Sequence, residues 1–257
     1  MNCDFDRTLS VLADGRPVTG FRHARLTGRD ALGLYPAPFT LRLWNLSGPD
    51  CSLLLSAKKI SVLHGGSVLA SGVAADVCRK RDPEGTLTEA VFAAGLSLWE
   101  APVSLSVEAG VSVSETVRRI LEASGTGISL LSFPGNDPVR IRGQAFFGRA
   151  AECAEEALSF AGARAYLTEA GLCVVPSVGL PVSLTLSPAD LTDDPEPAGN
   201  GLLLLRTRPA GWLPGKQASV KWKDGSAEGL VLERSVDADN MDGNWRSELV
   251  LAVRNEA

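Results

Sequence analysis

Short apolar runs separated by turn-forming residues fill the first hundred residues of this chain, and their spacing limits what it can fold into. In residues 39–44 apolar and polar side chains alternate, as in a strand with one face on a core. Residues 72–81 and 86–98, joined by an Asp-Pro-Glu-Gly turn, are typical of a long hairpin. We therefore predict antiparallel β structure over residues 5–99.

The hydrophobic period changes after residue 110. Ser112 and Glu115 form a capping box, apolar residues at helical spacing follow, and Gly125 closes this helix. A second helix is predicted over residues 149–161, ended by Gly162. Extended segments follow the helices, at 128–133 after the first and at 164–167 and 172–175 after the second. Two helix-plus-strand units of similar layout suggest a diverged internal repeat.

Strand signals return in the last third of the chain. Residues 187–200, rich in proline and acidic side chains, are predicted as a surface loop. Strands are predicted at 202–208, 217–223, 227–236 and 245–253, with 182–186 as a further one. The fold class is thus α+β, mainly β, with two small β-barrels flanking two helix-plus-strand α/β units. The expected domains are a β-barrel at 1–100, the α/β units at 101–176 and a second β-barrel at 177–257.

The composition is that of an ordinary globular protein. With 257 residues, 45% of them hydrophobic, the chain can bury a core without metals or disulfides. Its 25 basic and 30 acidic residues give a formal net charge of −5. No run of Lys and Arg is large enough to neutralise a phosphate backbone, so we expect no nucleic-acid specificity.

The cysteines and the N-terminus indicate a reducing compartment. The five cysteines stand singly and form no C-x-x-C pair, so we expect reduced thiols and neither a disulfide framework nor a thiolate metal site. They are Cys3, Cys51, Cys78, Cys153 and Cys173. No basic region followed by an apolar run opens the chain, and no stretch approaches the roughly 20 apolar residues of a membrane span. We expect synthesis in the cytosol and no membrane span.

A search for catalytic groups finds few parts. The chain has two histidines, His23 on a predicted strand and His64 before a Gly-Gly turn, and neither has a motif around it. Ser112 lacks the closing glycine of a serine elbow and is better explained as a helix cap. No P-loop and no dinucleotide glycine fingerprint occurs. We predict no enzyme activity, no catalytic or cofactor-binding residues and no cofactor.

Two acidic motifs are candidate sites. Residues 237–243 resemble the start of a calcium loop, but Met241 stands where a ligand belongs and Asp242 where the glycine belongs. A polar hairpin loop is favoured there, and no metal site is predicted. Glu155 and Glu156 belong on the solvated face of the second helix rather than in acid/base catalysis.

A basic cluster, Arg79, Lys80 and Arg81, lies at a predicted strand end. A solvated hairpin end is the simplest interpretation. A subunit interface with the acidic loop around residue 190 is the alternative.

Motifs in a fixed order carry a family resemblance. The first unit has VSLSV at 103–107 and VSVSETV at 111–117, the second has AFFGR at 145–149 and AGLCVV at 170–175, and a DADNMDGNWRSE hairpin follows at 237–248. In this order they resemble the baseplate hub, or late-control-D-like, proteins of contractile-tailed phages, notably the Mu-like ones. The chain departs from that family at Ala150, where the family often has threonine. No peptidoglycan-binding or lytic module follows, so any cell-wall activity is expected elsewhere.

The resemblance implies a structural role. Hub proteins of this kind form a homotrimer whose two β-barrels per subunit alternate around a ring. Three chains then present six similar barrels to a six-fold tail tube and join it to a three-fold central spike. The implied partners are the tail tube protein, the central spike protein and other baseplate proteins, in a virion tail assembled in the host cytoplasm. Trp99, Trp212 and Leu213 are candidate interface residues, and a core role for each stays open.

Three other functions stay open. A spike or adaptor of a bacterial contractile injection or secretion system would share the two-barrel architecture, and gene neighbours would distinguish it. A tail-associated cell-wall hydrolase or protease is a second alternative, which turnover of cell wall by the purified protein would reveal. A β-rich binding module of unknown ligand is a third, and a monomer in solution would favour it.

Overall fold

A computed structural model describes residues 7–83, 85–168, 170–176, 180–241 and 243–253. The fold is α+β and mainly β, which confirms the predicted class. The described strands are β1 (Ser10–Ala13), β2 (Arg16–Val18), β3 (His23–Ala31), β4 (Ala37–Trp44), β5 (Lys59–His64), β6 (Ser67–Asp82), β7 (Gly85–Ala94), β8 (Pro102–Val107), β9 (Leu130–Ser132), β10 (Gln144–Arg149), β11 (Arg164–Leu167), β12 (Leu172–Val175), β13 (Leu184–Leu186), β14 (Glu196–Gly199), β15 (Leu202–Thr207), β16 (Gln217–Trp222), β17 (Gly225–Asp239) and β18 (Trp245–Val253). The described helices are α1 (Gly48–Leu55), α2 (Leu96–Glu100), α3 (Val113–Ser124) and α4 (Ala150–Ser159).

The chain divides into two compact units. The first, which we call the β unit, comprises residues 1–30, 37–93 and 183–257, and the second, the α/β unit, comprises 31–36 and 94–182. The N-terminal and C-terminal segments contribute strands to one sheet of the β unit. The three-domain division at residues 100 and 176 stays a prediction.

The sheet of the β unit contains the same strand order twice. The first set runs β3-β4-β7-β6-β5-β1 and the second runs β14-β15-β18-β17-β16-β13. The sets join where β17 pairs with β3, and β2 extends the first set beyond β1. They differ at one end, because β1 pairs with β5 antiparallel and β13 pairs with β16 parallel. The β unit is thus an internal repeat of six strands, which the sequence pattern did not reveal.

Each set is built around one long strand. In the first, β5 of 6 residues leads into β6 of 16 and then β7 of 10. In the second, β16 of 6 residues leads into β17 of 15 and then β18 of 9. The register shifts between Ala74 and Asp76 in β6 and between Val231 and Glu233 in β17. A bulge of this kind sharpens the twist, which lets one strand pair with different neighbours along its length.

The core of each set comes from alternating side chains. Phe39, Leu41 and Leu43 of β4 point into the first core together with Phe92, as the sequence alternation predicts. The second core is smaller and contains Leu205, Val231, Leu249 and Leu251 among others. In both cores the alternation of buried side chains fixes the register of the strands.

Two short helices interrupt the region that the sequence assigned to strands. The α1 helix begins after Ser47, whose side chain accepts a hydrogen bond from the Asp50 backbone N–H, and Pro49 lies in its first turn. Proline is favoured there because its missing N–H would have no helical partner. The prediction of antiparallel β over 5–99 is therefore wrong at α1 and at α2, where too few residues are present for a helical period to emerge.

The acidic, proline-rich segment 187–200 is not a loop throughout. Its end forms β14, which pairs with β15 from Glu196↔Leu204 to Gly199↔Leu202. In the path of described strands β14 is an end strand, where proline is tolerated because one side of the strand needs no ladder partner. The loop prediction holds for the residues before it and is wrong for β14.

The α/β unit matches the predicted helix-plus-strand layout. Strand β8 pairs antiparallel with β10, and β9, β12 and β11 form a second small sheet. The α3 helix begins at Ser112, whose side chain accepts from the Glu115 backbone N–H, and ends at Gly125 with φ of 65°. The Glu115 carboxylate binds Arg119 at 3.0 Å and Arg118 at 3.5 Å, so it is held by its own helix. The predicted caps at Ser112 and Gly125 are confirmed, but among the described contacts the return bond of the capping box is replaced by the ion pairs of Glu115 with the two arginines.

Candidate functional site

The seam between β3 and β17, where the two strand sets of the β unit meet, contains four ion pairs among the described residues. Arg25 Nε and Nη2 donate to the two carboxylate oxygens of Asp237 at 3.0 and 3.1 Å. Arg29 Nη1 lies 3.1 Å from Glu233 Oε1. The basic side chains stand on β3 and the acidic ones on β17. Fixed pairs of opposite charge define the register between strands that are remote in sequence.

One pair in this seam runs the opposite way and is buried. Arg234 of β17 has 1% of its side chain exposed and donates from Nε and Nη2 to Asp30 at 2.9 and 2.7 Å. Its guanidinium carbon lies 5.8 Å from the centroid of the Phe39 ring, within the core. Burial raises the pKa of Asp30, and the adjacent Arg234 charge opposes that rise. A buried ion pair with two hydrogen bonds fixes one geometry, because neither charge can be left alone.

His23, which the sequence analysis places on a strand, is the first residue of β3 and belongs to the same seam. Its Nε2 lies 3.0 Å from Asp239 Oδ1, and its ring stacks on Trp44 with centroids 3.9 Å apart. Burial tends to raise the pKa of Asp239, but hydrogen bonds from the Met241 backbone and from His23 outweigh it, so the pKa is lowered. The pair has the chemistry of a structural contact, since Nε2 of the imidazole lies at hydrogen-bond distance from a carboxylate and a face of the ring stacks on an indole.

The second predicted histidine, His64, ends β5 before the Gly65-Gly66 turn, as the sequence predicts. Its Nδ1 lies 2.9 Å from the backbone oxygen of Thr8, and its ring meets the edge of Trp245. Neither histidine therefore faces a nucleophile among its described contacts.

Residues 237–239 are the last three of β17, where Asp237 and Ala238 pair with β18, so the predicted polar hairpin loop over 237–243 is wrong for these three residues. Asp237 accepts from Arg25 and Asn244, and Asp239 accepts from His23 and from the Met241 backbone. Asp242 lies outside the described residues. Within the described part of the chain no group of three or more His, Cys, Asp or Glu side chains could hold a metal ion. The carboxylates of Asp237 and Asp239 thus join the end of β17 to β3.

The predicted acid pair on the second helix has local partners. Glu155 Oε1 accepts from the Leu34 backbone N–H at 2.7 Å, and Glu156 Oε1 accepts from Gln144 Nε2 at 2.5 Å. These carboxylates tie α4 to neighbouring segments of the α/β unit.

The basic cluster and the acidic segment lie on exposed strands of the β unit. Arg79, Lys80 and Arg81 are exposed on β6, where Lys80 Nζ lies 2.8 Å from Glu89. Asp193, which precedes β14, and Glu196, its first residue, are both exposed, and Glu196 Oε1 lies 2.7 Å from Arg206 Nη1. Each site thus carries one local ion pair, at the surface, where such pairs contribute little.

The predicted interface aromatics are half-buried. Trp99 lies in α2 beneath Arg149, whose guanidinium carbon is 4.4 Å from its ring, and Trp212 packs on the second core and donates from its indole N–H to the Arg208 oxygen. Leu213 is half-buried as well. An interface role for these three residues stays a prediction.

More prominent apolar side chains were missed by the sequence reasoning. Ile141 is 91% exposed and Phe147 is 88% exposed, both in the α/β unit. Beside Ile141 an open groove of about 570 Å³ is lined by residues 140–144 and Phe160, and the Arg140 guanidinium carbon lies 4.7 Å from the Phe160 ring. Exposed apolar residues of this size are typical of contact surfaces. Strand alternation at Phe146-Phe147 was the available signal, since one of the two must point outward.

Comparison with solved structures finds tail proteins, among them one from a prophage. The chain is similar to a tail protein from Neisseria meningitidis, with 13% identity, a TM-score of 0.69 and 95% of each chain covered. It is similar to a 43 kDa tail protein of prophage MuSo2 from Shewanella oneidensis, with 9% identity, a TM-score of 0.69 and coverage of 95% of this chain and 97% of that one. The resemblance predicted from motif order is confirmed at the level of the fold.

A secretion-system protein has the same fold. The E. coli c3393 protein, a component of the type VI secretion system with structural similarity to the T4 tail proteins gp27 and gp5, matches with 12% identity and a TM-score of 0.71 over 96% of this chain and 77% of that one. No protein-family model and no curated protein matches the chain. Among the described residues no helix is long and apolar enough to cross a membrane.

Proposed function

We propose that this chain is the structural hub of a contractile phage-tail baseplate, a homotrimer that joins the six-fold tail tube to the three-fold central spike. Its partners are the tube protein, the spike protein and other baseplate proteins, in a virion assembled in the host cytoplasm. The fold it shares with a prophage tail protein, over 95% of this chain and 97% of that one, supports a tail component.

The repeat of six strands in the β unit carries the finer part of this proposal. A protein that joins six-fold to three-fold symmetry must offer six similar surfaces from three copies. Two strand sets of the same order in each chain provide six in a trimer. Each set is expected to close into a small barrel, as the sequence analysis predicts. The differences between the sets, such as β1 antiparallel and β13 parallel, leave the same trimer with true three-fold symmetry for the spike.

Static light scattering coupled to size exclusion tests the assembly state. A particle of three times 27.0 kDa is expected across micromolar concentrations. Incubation with purified tube and spike proteins from the same gene cluster should give a complex whose electron-microscopy averages are six-fold at one end and three-fold at the other. A chain that stays at 27.0 kDa alone and in that mixture contradicts the proposal.

The hub is proposed to have no enzyme activity. Both histidines are engaged in contacts within the β unit, His23 with Asp239 and His64 with a backbone oxygen, which supports a structural role. Release of soluble fragments from purified peptidoglycan or cleavage of casein by the protein, abolished in a heat-denatured sample, would contradict this part.

An adaptor or spike component of a bacterial injection system is the second candidate. The similarity to the type VI secretion protein favours it, with a TM-score of 0.71. Neighbouring genes for a tail sheath, capsid and packaging enzyme favour the phage hub, whereas neighbouring genes for a membrane-anchoring complex favour the secretion system.

A further inference from the structure

The seam between β3 and β17 has no counterpart on β6 within the described part of the chain. Strand β17 pairs with β18 along one edge, at residues 229–238. Its other edge pairs first with β16, at residues 225–230, and then with β3. On β6, β5 pairs as far as Val73, while β7 occupies the opposite edge from Val73 onward. Beyond the Ala74 N–H bond to Lys58, no described strand continues along the β5 edge.

The side chains of β17 and β6 differ in burial in the same way. In the second half of β17, Arg234, Val236 and Ala238 are buried beneath β3 and its neighbours. At the equivalent end of β6, Arg79, Lys80 and Arg81 are exposed. The strand that corresponds to β3 in the second set is β14, which is exposed along its length and pairs with β15 alone among the described strands. The edge of β6 beyond residue 74 therefore has no neighbour among the described strands. Strand β14, the counterpart of β3, has one side without a described partner strand.

The charges of these two edges are opposite, and they are the reverse of those in the three solvent-accessible pairs of the intact seam. In those pairs β3 supplies His23, Arg25 and Arg29 and β17 supplies the acidic partners, whereas the buried pair of Asp30 on β3 and Arg234 on β17 runs the other way. At the free edges β6 supplies Arg79, Lys80 and Arg81. The acidic residues are Asp193, Asp194 and Glu196, in residues 193–199, which comprise β14 and the three residues before it and which we call the β14 segment.

On these grounds we propose that the β6 edge of one copy docks against the β14 segment of the next copy, at the position that β3 takes on β17 within a chain. This inference rests on the proposed trimeric hub and names its subunit contact. Three such contacts alternate with three internal seams and close a ring of six strand sets. The occupant of the β6 edge is thus a second copy of this chain.

The charge reversal explains why each strand takes its own place. If the β14 segment packed against β17, its acidic side chains would lie close to Glu233 and Asp237 and repel them. If β3 packed against β6, Arg25 and Arg29 would lie close to the basic residues 79–81 and repel them. Pro195 and Pro197 have no backbone N–H, so the β14 edge offers few main-chain donors and resists indiscriminate strand pairing. Side-chain charges therefore carry the contact.

Charge reversal on each edge tests the inference. The variants are Arg79→Glu with Arg81→Glu, Asp193→Arg with Asp194→Arg, and the four substitutions combined. Light scattering is expected to give three times 27.0 kDa for the wild type, 27.0 kDa for each double variant and the trimer again for the combination. Lys221→Glu with Lys223→Glu changes the charge equally elsewhere on the exposed surface and is expected to leave the trimer intact.

The outcomes separate the two proposals. Recovery in the combined variant cannot arise from misfolding of a double variant, so it establishes the contact. A wild-type trimer whose mass none of these variants changes overturns this seam and leaves the hub standing. A wild type that is monomeric alone and with tube and spike proteins overturns both. A bifunctional maleimide should also link Lys80→Cys with Asp193→Cys between chains, in amounts above those of either single variant.

Discussion

Arg234 and Asp30 lie 204 positions apart in the chain and are joined by two hydrogen bonds of 2.9 and 2.7 Å inside the β unit. The arginine side chain is 1% exposed and the aspartate side chain 21% exposed. Since β17 belongs to the second strand set and β3 to the first, this pair locks the two halves of the internal repeat together.

Removal of one partner should be costly. Asp30→Ala leaves a buried guanidinium without its counter-ion, and we expect the free energy of unfolding to fall by about 3 kcal/mol. The double variant Asp30→Ala with Arg234→Met should recover more than half of that loss, because an apolar side chain of similar length needs no partner. Urea unfolding followed by circular dichroism measures both.

The matched control is Arg29→Ala, which removes an ion pair whose side chains are 71% and 37% exposed. It should cost at most about 1 kcal/mol, because solvent screens exposed pairs. Equal losses for Asp30→Ala and Arg29→Ala would show that burial of the first pair is unimportant.

Gly28 of β3 should not tolerate a side chain. A Cβ at this position would lie 2.8 Å from Phe39 Cγ and 2.9 Å from Phe39 Cα, because the ring covers the glycine across the strand pair. Gly28→Ala must move Phe39 within the first core, so we expect the free energy of unfolding to fall by about 1–3 kcal/mol. Thermal denaturation measures this loss. Gly48→Ala is the control, because no atom lies within 4 Å of the added Cβ, and its melting temperature should be close to that of the wild type. A wild-type melting temperature for Gly28→Ala would show that Phe39 has room to move.

Asp137 should stabilise α3 in a pH-dependent way. Its carboxylate accepts from the Ser114 backbone N–H at 2.9 Å and from the Ser114 hydroxyl at 2.6 Å. Burial tends to raise the pKa of Asp137, but these hydrogen bonds outweigh it and lower the pKa below its ordinary 3.8. The ionised form therefore stabilises the fold above that value, and the contribution is lost as the pH falls through the lowered pKa.

Asp137→Ala should accordingly cost about 1 kcal/mol at pH 7 and progressively less below about pH 4. Urea midpoints at pH 7 and pH 3 give the comparison, with Glu122→Gln on the exposed face of α3 as the control. A difference that is the same at both pH values would assign the effect to packing instead of charge.

The sequence predicted the helices whose ends carry capping residues or whose apolar spacing is long enough to recognise. Ser112 and Gly125 mark both ends of α3, and the apolar spacing between them is long enough to identify a helix. The eight residues of α1 contain less than three turns and begin at a Gly-Pro pair, which sequence rules assign to a turn. Helix length therefore separates the correct predictions from the missed ones.

The candidate surfaces could be predicted only in part. The sequence identified the basic residues 79–81 and the acidic segment near residue 190, because charge runs are visible without a structure. It did not reveal that β6 and β17 occupy equivalent places, since strand order depends on pairings between distant residues. Arg234 interrupts an apolar alternation, yet nothing in the sequence identifies Asp30 as its partner.

Two adjacent phenylalanines of β10 should respond oppositely to truncation. Phe146 is 1% exposed and belongs to the core of the α/β unit, whereas Phe147 is 88% exposed, because successive side chains of a strand point to opposite faces. Phe146→Ala should lower the free energy of unfolding by about 3–5 kcal/mol, and Phe147→Ala should change it by less than about 0.5 kcal/mol. Chemical denaturation of the two variants side by side gives the difference, with each serving as the other's control. Similar losses for both would mean that Phe147 is covered in solution by another chain, and a dilution series of the Phe147→Ala protein would then show a weaker assembly.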